Sequence, residues 1–206
     1  MLVDYGAMAE TMVARLTKQI LVGLAYLHSK DIIHRDIKGA NILVDTHGAV
    51  KISDFGISKR VQDSKTLLST ESAPNNGKAP AGRGRGAGMP GNRVSMQGSV
   101  FWMAPEVVKQ TAYTRKADIW SLGCLVVEML TGSHPHPNLS QLQAIFKIGG
   151  NRGTSDPSPD IPKGSTAQCR EFLESTFRVD YEKRPEAEEL GRLPFVAVAK
   201  GKEDKR

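Results

Sequence analysis

The chain has 206 residues, 39% of them hydrophobic and 24% charged, which suits one globular domain of ordinary composition. It lacks the basic-then-apolar start of a signal peptide, and its longest apolar stretch, residues 120–130, contains Glu128 and is too short to span a bilayer. Cys124 and Cys169 lie in helix-like apolar patterns without metal-ligand spacing, which favours buried thiols in a reducing compartment. We therefore expect a cytoplasmic protein without a membrane span.

The net charge of +6 is concentrated in two segments. Residues 72–98 carry four basic side chains and no acid, and the tail, residues 198–206, carries a net charge of +2, so the remainder is neutral. Arg83 and Arg85 lie in a Gly/Pro-rich tract of the kind that binds RNA, but two arginines are too few for that function. We predict no nucleic-acid partner.

The first predicted element is an amphipathic helix over residues 9–29. Its apolar residues recur at steps of three and four, and others broaden the stripe: Met12, Leu16, Ile20, Leu24 and Leu27, then Val13, Leu21 and Val22. Two short apolar runs, residues 42–44 and 50–52, flank a polar turn and predict a β-hairpin. The polar stretch HRDIKGANIL, residues 34–43, begins between the helix and the hairpin.

Residues 64–98 are rich in Ser, Pro, Gly, Ala and Asn, and predict a disordered insert in a surface loop, because they lack the apolar area that would offset the entropy of ordering. Order is predicted again from residue 100. A nearly all-apolar helix is expected at 116–130, and shorter ones at 139–148, from Ser165 or Thr166 to about 177, and from 186 to about 191. The predicted fold class is mainly α with a small β-hairpin.

Three short motifs follow one another on these elements: His34-Arg35-Asp36 with Asn41, then Asp54-Phe55-Gly56, then Ala104-Pro105-Glu106. Any one of these polar residues alone could be an ordinary turn residue. Together, in this order, they resemble the catalytic loop, the metal-binding triplet and the end of the activation segment of eukaryotic protein kinases. The stretches 34–43, 52–59 and 98–107 are most similar to the mitogen-activated protein kinase kinase kinases, including those of fungi, which are serine/threonine kinases.

The resemblance implies ATP and Mg²⁺ as cofactors. Asp36 would accept the proton of the attacking hydroxyl, and Lys38 would stabilise the transferring phosphoryl group of ATP. Asn41 and Asp54 would supply oxygen ligands to Mg²⁺. Leu43 would lie under the adenine, although a plain core leucine is nearly as good an interpretation.

The resemblance also assigns residues to an activation segment, 54–106. Ser99 would bridge toward Asp36 and Lys38, although an ordinary loop serine is the alternative. Trp102 would shape the pocket for the substrate residue that follows the phosphoacceptor. Arg35 would receive an activating phosphate, with Ser95 as the first candidate to carry it.

Three further residues are assigned structural roles by the resemblance. Asp118 would accept backbone N–H groups of the catalytic loop, and Glu106 and Arg184 would form a buried ion pair. As a whole, residues 1–197 resemble the C-terminal lobe of a kinase with the N-terminal lobe missing, and residues 198–206 form a basic tail. On that ground we expect weak or no activity from this chain alone.

The expected function is therefore that of a serine/threonine protein kinase whose protein substrate is a downstream kinase kinase of a MAP kinase cascade. The alternative is a truncated, catalytically incompetent kinase fragment that acts, if at all, as a binding module. The motifs do not separate the two, because both would inherit them.

Overall fold

The computed structural model of the protein describes residues 6–54, 59–60, 99–150 and 156–197. Of the sequence-based predictions, the insert at 64–98, the tail at 198–206 and the phosphate carrier Ser95 lie outside these residues.

The first long helix, α1, spans Glu10–Ser29, as the apolar periodicity predicts. Leu16, Ile20 and Leu24 of the predicted stripe are buried. Met12 and Val22, assigned to the same stripe, are instead 45% and 67% exposed. The helix is confirmed, but its buried face is narrower than predicted, because periodicity shows that a face exists and not how much of it the neighbouring elements cover.

Six more helices follow in the described part of the chain. They are α2 Pro105–Val108, α3 Lys116–Thr131, α4 Gln141–Gly149, α5 Ala167–Thr176, α6 Ala187–Leu190 and α7 Pro194–Ala197. Two 3₁₀ turns, Gly39–Asn41 and Val100–Trp102, complete the helical structure there. The four helices predicted after residue 100 correspond to α3, α4, α5 and α6, with ends that differ by at most two residues.

Helix α3 is the centre of the core, as its apolar sequence predicts. Nearly all of its side chains are buried, and it packs against α1 and α5. A Cβ atom at Gly123 would lie 2.2 Å from Oγ1 of Thr176, so α3 and α5 can approach this closely only because residue 123 has no side chain. Gly132, in the left-handed conformation with φ of 70°, ends the helix.

Strands β2 (Ile42–Val44) and β3 (Val50–Ile52) pair antiparallel with Ile42 opposite Ile52, which confirms the predicted hairpin. The side chain of Gln19 in α1 joins the hairpin through two hydrogen bonds. Its Nε2 donates to the carbonyl oxygen of Gly48 at 3.0 Å, and its Oε1 accepts from the N–H of Val50 at 3.1 Å. The hairpin is therefore held against the first helix.

The predicted fold class needs correction, because one small hairpin does not account for the strands. A second antiparallel sheet pairs β1 (Ile32–Ile33) with β4 (Lys59–Arg60). Two-residue strands carry no periodic pattern, and their partners lie far apart in sequence, so the sequence offers no local signal for them. This sheet joins the segment before His34 to the segment after Asp54.

Both cysteines are buried and unpaired, as predicted. Burial raises the pKa of the Cys169 thiol to about 11, which keeps it protonated at neutral pH. Among the described residues, no helix combines the length and the apolar character that crossing a membrane requires.

Candidate active site

The loop at residues 34–41 is anchored by Asp118, whose side chain is buried at the start of α3. Its Oδ2 accepts the backbone N–H of His34, and its Oδ1 accepts that of Arg35, both at 2.9 Å. Oδ2 also lies 2.9 Å from Nε2 of His28 in α1. The two longest helices of the core thus hold one carboxylate, which in turn holds the start of the loop.

Asp36 is at the centre of a compact polar cluster. Nζ of Lys38 lies 2.7 Å from Asp36 Oδ2 and donates to Oγ of Ser99 at 2.9 Å. Ser99 Oγ donates to Asp36 Oδ1 at 2.7 Å. Nδ2 of Asn41 donates to Asp36 Oδ2 and to the Asp36 carbonyl oxygen, each at 2.8 Å. Both carboxylate oxygens are therefore oriented by neighbouring donors, one of which comes from a segment 63 residues away.

The charge state of Asp36 follows from these contacts. Burial raises the pKa of its carboxyl group, but the hydrogen bonds from Lys38, Ser99 and Asn41 together outweigh burial and leave the pKa below its ordinary value. The carboxylate is therefore ionised at neutral pH and able to accept a hydrogen bond from a hydroxyl group.

Asn41 connects this cluster to Asp54. The carbonyl oxygen of Asn41 accepts from both the N–H and Oγ of Ser53, each at 2.9 Å, at the end of strand β3. Ser53 also contacts His34 through its carbonyl oxygen, at 3.0 Å. The hairpin therefore returns the chain to the loop at residues 34–41 and places Asp54, exposed and with φ of 63°, beside it.

The oxygen atoms that Asn41 and Asp54 offer are of the kind that bind Mg²⁺. Since the Asn41 amide nitrogen donates to Asp36, its amide oxygen is the atom that can bind a cation, and Asp54 offers an exposed carboxylate. Proteins bind Mg²⁺ through one or two such oxygens together with substrate phosphates rather than through a complete cage. Among the described residues, no group of three or more His, Cys, Asp or Glu side chains could hold a metal ion alone. An amide oxygen and one carboxylate are what a phosphate-completed site requires.

Glu128 is a residue of the site that the sequence analysis did not select. Its Oε2 accepts the backbone N–H of Gly39 at 3.0 Å and the indole N–H of Trp102 at 2.9 Å. It therefore joins the loop at residues 34–41 to the 3₁₀ turn that follows Ser99. A carboxylate within an otherwise apolar helix was the available signal, because such a group needs partners when it is buried.

Glu128→Gln is expected to change the pH dependence of stability. Burial raises the pKa of Glu128 more than its hydrogen bonds lower it. The folded state therefore binds this proton more tightly than the unfolded chain, and the resulting stability is lost as pH rises from the ordinary carboxyl pKa through the raised one. Glutamine keeps the oxygen acceptor but does not ionise. The unfolding free energy of the variant should therefore decrease less than that of wild type between about pH 4 and pH 8.

Urea unfolding at a series of pH values measures this difference, with Glu174→Gln on the exposed side of α5 as the matched control. Glu128→Ala should instead cost about 1–3 kcal/mol for each donor left without a partner. Parallel pH profiles of stability for Glu128→Gln and wild type would contradict this prediction, because they would show that folding does not raise the pKa of Glu128.

Glu106 and Arg184 form a two-pronged ion pair in the interior. Nη1 of Arg184 lies 2.7 Å from Glu106 Oε1, and Nη2 lies 3.1 Å from Oε2, with side chains that are 0% and 3% exposed. Nη1 and Nε of Arg184 also donate to the carbonyl oxygens of Lys116 and Arg178, at 2.7 and 3.0 Å. The pair connects α2 to the segment before α6 and lies beside the start of α3.

The remaining predicted residues are placed as follows. The side chain of Trp102 is partly buried and its indole is engaged by Glu128, whereas Leu43 is 41% exposed on strand β2. An exposed leucine argues against the plain core interpretation of residue 43. Its proposed contact with adenine, and that of Arg35 with a phosphate, stay predictions.

Residues 1–196 match the family model of the protein kinase domain, so the chain belongs to the protein kinase family. It is 55% identical over 196 residues to mitogen-activated protein kinase kinase kinase MST11 of Pyricularia oryzae and 51% identical over 196 residues to serine/threonine-protein kinase STE11 of Saccharomyces cerevisiae. It is 44% identical over 186 residues to human mitogen-activated protein kinase kinase kinase 3. These matches cover 95%, 95% and 90% of this chain.

The resemblance to MAP kinase kinase kinases is confirmed by these comparisons. The chain spans only 19%, 24% and 25% of the lengths of the three relatives, about a fifth to a quarter. The activities and partners of the whole relatives therefore apply to this chain as proposals.

The prediction of an isolated C-terminal lobe with the N-terminal lobe missing is wrong. The family match assigns residues 1–196 to the protein kinase domain without restricting them to one lobe. The weak activity expected from a missing lobe loses its basis with that correction.

Proposed function

We propose that the chain transfers the terminal phosphoryl group of ATP to a serine or threonine hydroxyl of a protein. The observation that carries this proposal is the Asp36 cluster, an ionised carboxylate with one oxygen facing Lys38 and Asn41 and the other facing a serine hydroxyl. Phosphoryl transfer needs alignment and charge neutralisation more than covalent participation by the protein, and this cluster supplies both.

In this proposal Asp36 orients the attacking hydroxyl and accepts its proton. A carboxylate with a lowered pKa is a weak base, so its main contribution is orientation, with the proton transferred late. Lys38, with Nζ 2.7 Å from that carboxylate, is close enough to place its positive charge beside the moving phosphoryl group. Mg²⁺ held by Asn41 and Asp54 would neutralise charge on the ATP phosphates.

The substrate proposed is a downstream kinase kinase of a MAP kinase cascade, in the cytoplasm. The names of the relatives support this assignment, since two of the three are called MAP kinase kinase kinases. A serine or threonine acceptor is supported by the resemblance, since a lysine two residues after the catalytic aspartate is typical of serine/threonine kinases; here Lys38 and Ser99 both contact the carboxylate that would receive the acceptor proton.

A radiometric assay of the full chain tests the proposal. Three peptides that differ only in a serine, threonine or tyrosine acceptor, and an inactive kinase kinase, are incubated with labelled ATP, with and without Mg²⁺. We expect label on serine and threonine, none on tyrosine, and none after Mg²⁺ is chelated. Binding of the kinase kinase without any transfer would contradict the proposal and favour the binding-module alternative.

A further inference from the structure

Arg35 has a backbone conformation that its residue type disfavours. Its φ angle is 74°, in the left-handed region that non-glycine residues rarely adopt. The hydrogen bonds from His34 and Arg35 to Asp118 fix the peptide groups before Arg35. The next residue along the chain is Asp36, so whatever holds the Arg35 side chain also restrains the peptide that carries the proposed catalytic carboxylate.

The guanidinium group of Arg35 lies against the aromatic ring of Tyr113. Its guanidinium carbon lies 4.3 Å from the centre of the Tyr113 ring, within cation–π distance. Its Nε is buried and has no hydrogen-bond partner, and none of the ion pairs formed among the described residues includes Arg35. Within that part of the chain, the ring face is the group placed to stabilise the partly buried guanidinium.

Tyr113 is held in place by the hydrophobic core and by the loop that carries it. It packs against the main hydrophobic core from the loop between α2 and α3. In that loop, Thr111 donates from its N–H to the carbonyl oxygen of Glu106 at 3.0 Å, so the loop is tied to the residue that pairs with Arg184. Burial raises the pKa of the Tyr113 phenol, and the nearby Arg35 charge offsets this rise only in part, so the ring stays neutral at physiological pH.

We propose that Tyr113 is a positioning residue for phosphoryl transfer. Its ring holds the Arg35 guanidinium, and this contact keeps the backbone of Arg35 in its left-handed conformation and so fixes the peptide that leads to Asp36. The proposal rests on the proposed function for its effect on turnover, whereas the ring contact can be tested without any activity. A partly buried cation–π contact is stronger than a fully exposed one, and a small displacement of a catalytic group lowers the rate steeply.

Two substitutions separate the ring from the hydroxyl. Tyr113→Phe keeps the aromatic face, and its kcat should stay within about twofold of wild type. Tyr113→Leu keeps an apolar side chain but removes the π face, and its kcat should fall about 5- to 30-fold with an unchanged KM for ATP. The matched control is Tyr26→Leu on α1, where an exposed tyrosine has Lys30 Nζ 5.8 Å from its ring centre, and it should leave kcat unchanged.

A second measurement does not depend on activity. In the full chain labelled with ¹⁵N-arginine, the Nε–H proton of Arg35, assigned by its loss in Arg35→Lys, should be shifted by the ring current in wild type and in Tyr113→Phe. In Tyr113→Leu it should return to the range of the other arginines. Thermal unfolding of each variant checks that the fold persists, so that a loss of kcat reports on the site.

An unchanged kcat in Tyr113→Leu, or an Arg35 resonance that does not respond to that substitution, would overturn the proposal. Absence of transfer by the wild-type chain would instead overturn the proposed function. In that case the Arg35 resonance by itself decides whether Tyr113 holds Arg35.

Discussion

Asp36→Asn is expected to lower kcat for phosphoryl transfer by about 10²–10⁴-fold, the range that a positioned acid–base group contributes. The substitution preserves size and keeps one oxygen, but it removes the negative charge that receives the proton and that pairs with Lys38 at 2.7 Å. The KM for ATP should change little, because in our proposal Asp36 contacts the acceptor hydroxyl and not the nucleotide.

Steady-state kinetics with a serine peptide measures both constants. Asp160→Asn, at an exposed aspartate, is the matched control and should be indistinguishable from wild type. Thermal unfolding of both variants verifies that the fold is intact. If Asp36→Asn kept kcat within about threefold of wild type, the proton-accepting role assigned to Asp36 would be wrong.

Arg184→Met is expected to produce the largest loss of stability. It leaves the carboxylate of Glu106 buried and unpaired, which typically costs about 3–5 kcal/mol and, in a chain of this length, lowers the midpoint of thermal unfolding by roughly 6–20 °C. The carbonyl oxygens of Lys116 and Arg178 also lose their donor. The loss follows from isolating one charge rather than from a large net contribution of the pair.

The double variant Glu106→Leu with Arg184→Met tests that explanation, because it removes both charges. It should recover a large part of the stability lost in the single variant. Lys183→Met is the matched control: its ion pair with Asp180 is formed at 2.9 Å by side chains that are 75% and 51% exposed, so no measurable shift is expected. A double variant as unstable as the single one would show that an unpaired buried charge is not the cause.

Five of the seven described helices could be predicted from local sequence signals, whereas the four-residue helices α2 and α7 were not predicted. Helix α1 was found from its apolar spacing, helix α3 from a nearly all-apolar run, and the hairpin from two apolar runs about a polar turn. The width of the α1 stripe could not be found this way, since Met12 and Val22 follow the same periodicity as the buried residues and yet face solvent. Periodicity reports the shape of one element, whereas burial depends on what packs against it.

In the candidate site, too, some residues could be predicted from the sequence and others only from the tertiary structure. The motifs around Asp36, Asn41 and Asp54 could be selected because their residue types and order resemble a known family. Glu128 and Tyr113 were missed, because neither belongs to those motifs and their partners, Gly39 and Arg35, lie 89 and 78 residues away in the sequence. The second sheet was missed because its two short strands are also far apart in the sequence.

By itself the sequence determined five of the seven described helices, the hairpin and the family. The tertiary structure alone decided the contacts of distant groups outside the motifs: Glu128 with Gly39 and Trp102, and Tyr113 with Arg35. The physical reason is that local preferences act over a few neighbouring residues, whereas hydrogen bonds and ring contacts between separated segments exist only after the core has brought the helices together.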